Sequence, residues 1–398
     1  MVTPDRVSQY ARAMRLMFSS GAGYSHLAPM LPLAKAARAA GDEVAFVTGP
    51  EAVQYLENTG LQAVSVGQPS DPAAAASMWQ RAREEMAGMT ADERLSHLVA
   101  EYMVGLGAAA RLDAMVEFVR DWRPDLVIAN LAERAAVMAA CLAGVPYAMH
   151  AIGPPKSAAT MERAWEVANG LVRERGLDEL PPRDAVPYLD FWPTGLIPPD
   201  VGWEYPTRWP LQPAGVTPTP GPRPAVLDGL PYDRTVYVTL GTTHNARPGV
   251  LEGMVAALRD EPMNVVATIG RDSDVGRFGQ QPDHVRIEQF VPQTQLLPAV
   301  DAVVCHGGSA TVLGALAHGV PLVVLPLATD HFEVAAQIQA AEAGIAVDSG
   351  DGILDAVQTV LAGPAYRASA DSLAAQIAEQ PAPAAVAARL RDLKVSIR

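Results

Sequence analysis

Cysteine is nearly absent: 398 residues contain only Cys141 and Cys305, each inside an apolar run. A disulfide framework is thereby excluded, and both thiols read as small core residues of a reduced protein. Positive charge is scarce too, with 30 Lys and Arg against 44 Asp and Glu and a formal net charge of −14. That balance excludes a general nucleic-acid binder, which needs a basic surface. A local polyanion site would have to be built from backbone amides instead. No apolar run is long enough to span a bilayer, and the polar stretch Met1 to Arg15 lacks the apolar core of a signal peptide. The expectation is a cytoplasmic protein with no membrane and no nucleic-acid partner. Zinc-type spacing of His, Cys and acids is missing, as is a Gly-x-Ser-x-Gly nucleophile elbow.

What is present is apolar material: 49% hydrophobic residues against 19% charged, over a length that suits two domains. Short aliphatic runs alternate with helical periodicity in each half. In the first half the strands read Leu16 to Phe18, Glu43 to Thr48, 61–66, Leu126 to Ala129 and Val145 to Met149. In the second they read Val236 to Leu240, Asn264 to Ile269, Asp301 to Cys305 and Pro321 to Leu325. Such alternation predicts an α/β fold with parallel sheets covered on both faces. Between Phe191 and Leu230 periodicity fails and prolines are dense. This reads as an ordered connection, because Phe191, Trp192, Trp203, Tyr205 and Trp209 can pack. The expected units are 1–205 with a linker to about 230, then 231–380, then a terminal helix 381–398 returning to the first unit. Residues 70–103 are less regular and read equally well as a cleft-lining insertion or a solvated helical excursion.

Ligands of parallel sheets gather at the carboxyl ends of strands. One loop there is distinctive: the run Asp301 to Cys305 leads straight into His306, Gly307, Gly308, Ser309, Ala310 and Thr311. Glycines let a phosphate approach the backbone, the next helix offers free amides, and its dipole favours negative charge. A tight turn capped by a serine also fits, but two glycines and a histidine exceed what a turn requires. A second loop, Gly21-Ala22-Gly23-Tyr24-Ser25-His26, matches the dinucleotide fingerprint only in part. Taken alone, His26 reads as a residue at a helix start.

The stretch from Phe290-Val291-Pro292-Gln293 through His306-Gly307-Gly308 and Gly319-Val320-Pro321 to Asp330 resembles the signature of the GT-B, family 1 glycosyltransferases. The similarity is to bacterial enzymes that decorate antibiotics and other secondary metabolites. The N-terminal segment His26 to Leu33, with Pro29 and Pro32, is similar to the family's opening motif. The resemblance implies two Rossmann-like domains facing a cleft, and a nucleotide-sugar donor. It implies transfer with inversion, and the Met, Trp, Tyr and Ala content of residues 70–110 and 150–190 points to an apolar aglycone chosen by the first half. The pyrophosphate would meet His306, Gly307, Gly308, Ser309, Ala310 and Thr311, with Thr242 opposite. Phe290 and Val291 would hold the base, and Asp330 and His331 the sugar hydroxyls. His26 becomes the general base. The acid that orients such a histidine is replaced by Asn130, which leaves three readings: Glu133 a turn later substitutes, the acceptor hydroxyl is acidic enough to need little help, or His26 is not a strong base.

Three departures from the family pattern stand out. Gly314 replaces a glutamate that grips ribose in plant members, which suits a deoxyribose donor such as a TDP-sugar. Ala310 stands where glycine is common, and Val334 where asparagine is usual. No metal and no cofactor beyond the donor are implied, so the spaced acids Asp272 and Asp274 read as an exposed loop. His244 is left open as a cleft residue, and the assembly as monomer or homodimer. Rival readings are a nucleotide-sugar epimerase, a cell-wall glycosyltransferase, and a non-catalytic auxiliary protein of the same fold.

Overall fold

Strands buried on both faces need continuous aliphatic runs, and the chain supplies two sets of them. The structure, a computed structural model, describes residues 12–68, 71–197, 207–216, 221–242, 247–271, 273–328 and 330–393. Trp203, Tyr205, His244 and Asp272 lie outside the described residues, as does the start of the chain through Ala11.

The first sheet contains β1 (Arg15–Ser19), β2 (Glu43–Thr48), β3 (Gln62–Ser65), β4 (Leu126–Asn130), β5 (Tyr147–His150), β6 (Tyr188–Asp190) and β7 (Arg208–Pro210). Its order is β3-β2-β1-β4-β5-β6-β7, parallel throughout. The second contains β8 (Thr235–Thr239), β9 (Asn264–Thr268), β10 (Val285–Glu288), β11 (Ala302–Cys305), β12 (Leu322–Val324) and β13 (Gly344–Ala346). Its order is β10-β9-β8-β11-β12-β13, again parallel. The two α/β halves expected from the alternation are therefore present.

Register fixes what each face buries. Phe18 lies opposite Phe46 and Ile128 and packs toward helix Leu31–Ala39, while Met17, Val127 and Met149 fill the other face. In each sheet the strand order reverses beside the first strand of its half, at β1/β4 and at β8/β11. Connections diverge at such a point and leave a crevice at the carboxyl ends of the strands. The segments holding His26, Asn130, Thr242 and His306 all leave the sheets there.

The halves share one apolar cluster that includes Trp192, Leu196, Val334, Ile338, Leu373 and Ile377. Inside it the Trp192 indole N–H donates to Gln337 Oε1 at 2.9 Å. The chain then returns: helix Pro383–Asp392 lays Val386, Ala387 and Leu390 into the first half's core beside Leu33. Arg391 grips the buried Asp42 carboxylate at 3.0 and 3.1 Å and donates to the Ala40 carbonyl at 2.7 Å. The proline-dense stretch hides an element, since Arg208–Pro210 pairs with β6 at the sheet edge. An edge position tolerates the missing N–H of Pro210.

His150, at the end of β5, is wholly buried, and its Nδ1–H donates to the Ala151 carbonyl at 2.7 Å. Burial pushes its pKa from 6.5 to about 4. The neutral ring's contribution to stability is therefore complete above pH 6.5 and is lost as pH falls toward 4. It amounts to about 3 kcal/mol. Chemical denaturation at pH 7 and pH 4 should show His150→Gln losing that much less stability than the unaltered protein on acidification. An equal loss in both proteins would remove His150 as the source.

Candidate active site

The second half contributes a loop whose helix start carries no side-chain cap. β11 runs into His306-Gly307-Gly308, and helix Ser309–Ala317 starts with Gly308 in extended conformation at its N-cap. No side chain caps that helix, so its first-turn amides remain available for a ligand. Gly307 has φ +91°, which a side chain rarely adopts. Around His306 the packing is tight. A methyl group at Gly241 would lie 3.0 Å from His306 Cε1, and one at Gly308 would lie 2.5 Å from His306 Nε2. His331 meets the His306 ring edge-on at 4.7 Å and accepts the Ala328 N–H on its Nδ1 at 3.2 Å. His306 is thus held in one orientation beside the helix start.

The first half contributes His26, on the single helical turn Tyr24–Leu27 behind the N-cap Gly23. Burial lowers the pKa of His26, and the negative charge of Asp330, from the second half, opposes that shift. The acid felt at His26 therefore reaches it across the cleft. Both residues expected to orient its ring are otherwise engaged. Asn130, wholly buried, donates from Nδ2 to the His26 backbone carbonyl at 3.0 Å and accepts the Ala132 N–H at 2.9 Å. It braces the helical turn and does not act as the ring's partner. Glu133 is ion-paired with Arg111, which also donates to the Val66 carbonyl at 3.1 Å. Burial pushes the Glu133 carboxyl up, while Arg111 and the amides of Ala135 and Ala136 oppose this. Of the alternatives, Glu133 as a substitute acid is not the arrangement seen here, its carboxylate being engaged by Arg111.

His26 and the His306 loop open onto one cavity of about 470 Å³. The wall from the second half holds Thr242, His306, Gly308, Ser309, Ala310, Thr311, Asp330 and His331. The opposite wall is largely apolar, with Ile152, Phe191, Pro213 and Ala214, and with Tyr24 and Trp79 exposed at 43% and 41%. No Lys or Arg is among its described lining residues. Sequence reasoning missed Tyr24 and Trp79 as individual residues. A lone tryptophan in the Ala-rich helix Pro72–Glu85, facing no periodic partner, was the available signal.

Phe290 and Val291 are not brought into this cavity. Phe290 is half-exposed beside a separate depression, with the Arg271 guanidinium stacked 3.5 Å over its ring, and Val291 is buried in the core. A base stacking on Phe290 must use its other face or displace Arg271. Gly314 is buried on the loop's helix, and a methyl there would come within 3.3 Å of Leu297 Cδ1, so the position has little room for a glutamate. Val334 is fully buried in the shared core. Asp274 accepts the Gly276 N–H at 2.8 Å, closing a short turn. Among the described residues no group of three or more His, Cys, Asp or Glu is arranged to hold a metal, and no helix is long and apolar enough to cross a membrane.

Residues 35–220 match the N-terminal domain of the erythromycin biosynthesis protein CIII-like family, and residues 253–393 match its C-terminal domain. An L-demethylnoviosyl transferase of Streptomyces niveus is 33% identical over 386 residues, covering 94% of this chain and 97% of that protein. The 3-alpha-mycarosylerythronolide B desosaminyl transferase of Saccharopolyspora erythraea is 30% identical, covering 97% and 99% of the two chains. Among solved structures, the spinosyn rhamnosyltransferase SpnG complexed with thymidine diphosphate superposes with a TM-score of 0.79 at 25% identity, covering 96% of this chain and all of that one.

Proposed function

The chain belongs to the erythromycin CIII-like family of antibiotic-biosynthesis glycosyltransferases, and from that footing we propose that it moves a sugar from a TDP-linked donor to an apolar natural-product aglycone with inversion. The observation that carries this is the meeting, in one cavity, of His26 with the uncapped helix start at Ser309. In the proposed step a ring nitrogen of His26 takes the proton from the acceptor hydroxyl. The acceptor oxygen forms a bond to the anomeric carbon as the bond from that carbon to the diphosphate oxygen breaks. The departing charge is met by the amides of the first helical turn, by His306 and by the hydroxyls of Thr242 and Thr311. Fixed donors of this kind contribute about 3 kcal/mol each to lowering a barrier. Apolar Ile152, Phe191 and Trp79 favour a hydrophobic acceptor on the other wall.

The preference for a deoxyribose nucleotide is supported by Gly314, which offers no carboxylate to grip a ribose and where an added Cβ would lie 3.3 Å from Leu297 Cδ1. No metal is required in this reading, because backbone amides meet the diphosphate.

Calorimetry with TDP and UDP tests the donor assignment. TDP should bind more tightly than UDP, and His306→Ala should weaken TDP roughly 10- to 100-fold, the worth of one hydrogen bond to a charged group. Well-folded protein that binds neither nucleotide would instead favour the non-catalytic auxiliary reading.

A further inference from the structure

The loop that follows β5 belongs to the first half by sequence, yet it lies against donor-side residues of the second. Gly153 abuts two of them: a methyl group there would fall 2.8 Å from Ser309 Oγ and 3.1 Å from an Asp330 carboxylate oxygen. Gly153 is not among the glycines with positive φ, so what requires glycine is room rather than backbone freedom. Ile152, just before it, lines the cavity. Three residues on, Lys156 is only 6% exposed and places its ammonium 3.0 Å from Glu333, on helix His331–Ala340 directly behind Asp330. A buried ammonium is costly unless paired. Burial raises the Glu333 pKa, the charges of Asp330 and Asp92 add to the rise, and Lys156 opposes it.

We propose that residues 152–157 form the closing wall of the donor-sugar site. Gly153 lets this wall close tightly on Ser309 and Asp330, and Lys156 is a positioning residue that fixes the Asp330 helix through Glu333. Choice of the donor sugar is then shared between the halves, with the first half acting on the sugar and not on the nucleotide. This rests on the donor reading above.

The test compares TDP with TDP-glucose by calorimetry, in the unaltered protein, in Gly153→Ala, in Lys156→Met and in the swapped pair Lys156→Glu with Glu333→Lys. TDP lacks the sugar, so its affinity should change less than about threefold in the Lys156 variants, while TDP-glucose should weaken by roughly tenfold or more in Lys156→Met; in Gly153→Ala, whose added carbon also presses on Ser309 beside the diphosphate, TDP-glucose should weaken at least about tenfold more than TDP. The swapped pair should recover most of that loss, because the ion pair is re-formed with reversed polarity. Parallel weakening of TDP and TDP-glucose, or no weakening of either, would overturn the proposal. If Gly153→Ala does not fold, the Lys156 variants decide by the same criterion. Failure of the unaltered protein to bind TDP strikes the donor reading itself, and this proposal falls with it. Intact TDP binding with unselective variants strikes this proposal alone.

Discussion

Replacing His26 with alanine is expected to lower kcat by about 10²- to 10⁴-fold, the usual worth of a positioned general base. TDP binding should be nearly unchanged, because the loop proposed to hold the diphosphate lies on the other half. The measurement is product formation with an aglycone the unaltered enzyme accepts, alongside calorimetry with TDP. A rate within threefold of the unaltered enzyme would reduce His26 to a helix-start residue. The pH profile adds a second reading. Burial holds the His26 pKa below 6.5, so the neutral ring is available above that lowered value and is lost as pH falls through it. The acid limb of kcat/KM should therefore lie below pH 6.5. Asp330→Asn removes the negative charge that raises the His26 pKa, so the limb should move to still lower pH, whatever else the change does to the rate. Glu133→Gln should leave the limb in place, since that carboxylate is paired with Arg111.

The second large effect is expected at Gly308. Its backbone, φ −63° and ψ 129°, is open to any residue, so strain is not the issue. Space is: the first carbon of a side chain would lie 2.5 Å from His306 Nε2. His306 has little room to yield, with Gly241 on one side and the His331 ring at 4.7 Å on another. Gly308→Val must therefore displace the histidine or the first helical turn, the two groups assigned to the diphosphate. TDP affinity should fall by about 100-fold or more, comparable to removing a fixed donor from a charge-stabilising site. Thermal unfolding should shift by only a few degrees, because the change sits at the cavity edge and removes no core contact. TDP binding within threefold of the unaltered protein would mean that the diphosphate does not use this loop.

Legibility differed between kinds of element. Strands such as Val236 to Leu240 and Asp301 to Cys305 were readable because burial on both faces demands uninterrupted aliphatic residues. β6, β7, β10 and β13 were not, because Tyr-Leu-Asp, Arg-Trp-Pro, Val-Arg-Ile-Glu and Gly-Ile-Ala form no continuous aliphatic run. β7 reads Arg-Trp-Pro, a pattern that only its edge position and its pairing with β6 make a strand. The His306 loop was legible because its chemistry is contiguous: strand, histidine, glycines and helix follow one another. Phe290 carried a base-stacking expectation that its surroundings complicate, since Arg271 already covers one face of the ring.

By itself the sequence determined the two parallel-sheet halves, the glycine-rich loop from His306 to Thr311 and the position of His26 after the first strand. These follow from local patterning: side-chain periodicity, and glycine where the backbone must turn or be approached. Only the tertiary structure decided which residues work together. Asn130 reaches the His26 carbonyl from 104 positions away, and Lys156 meets Glu333 from 177 away. Gly153 closes on Ser309 and Asp330 across the cleft, and Asp330 rather than Glu133 supplies the charge felt at His26. Such partnerships depend on how the sheets pack and how the halves close, and no local pattern in the chain encodes that distance.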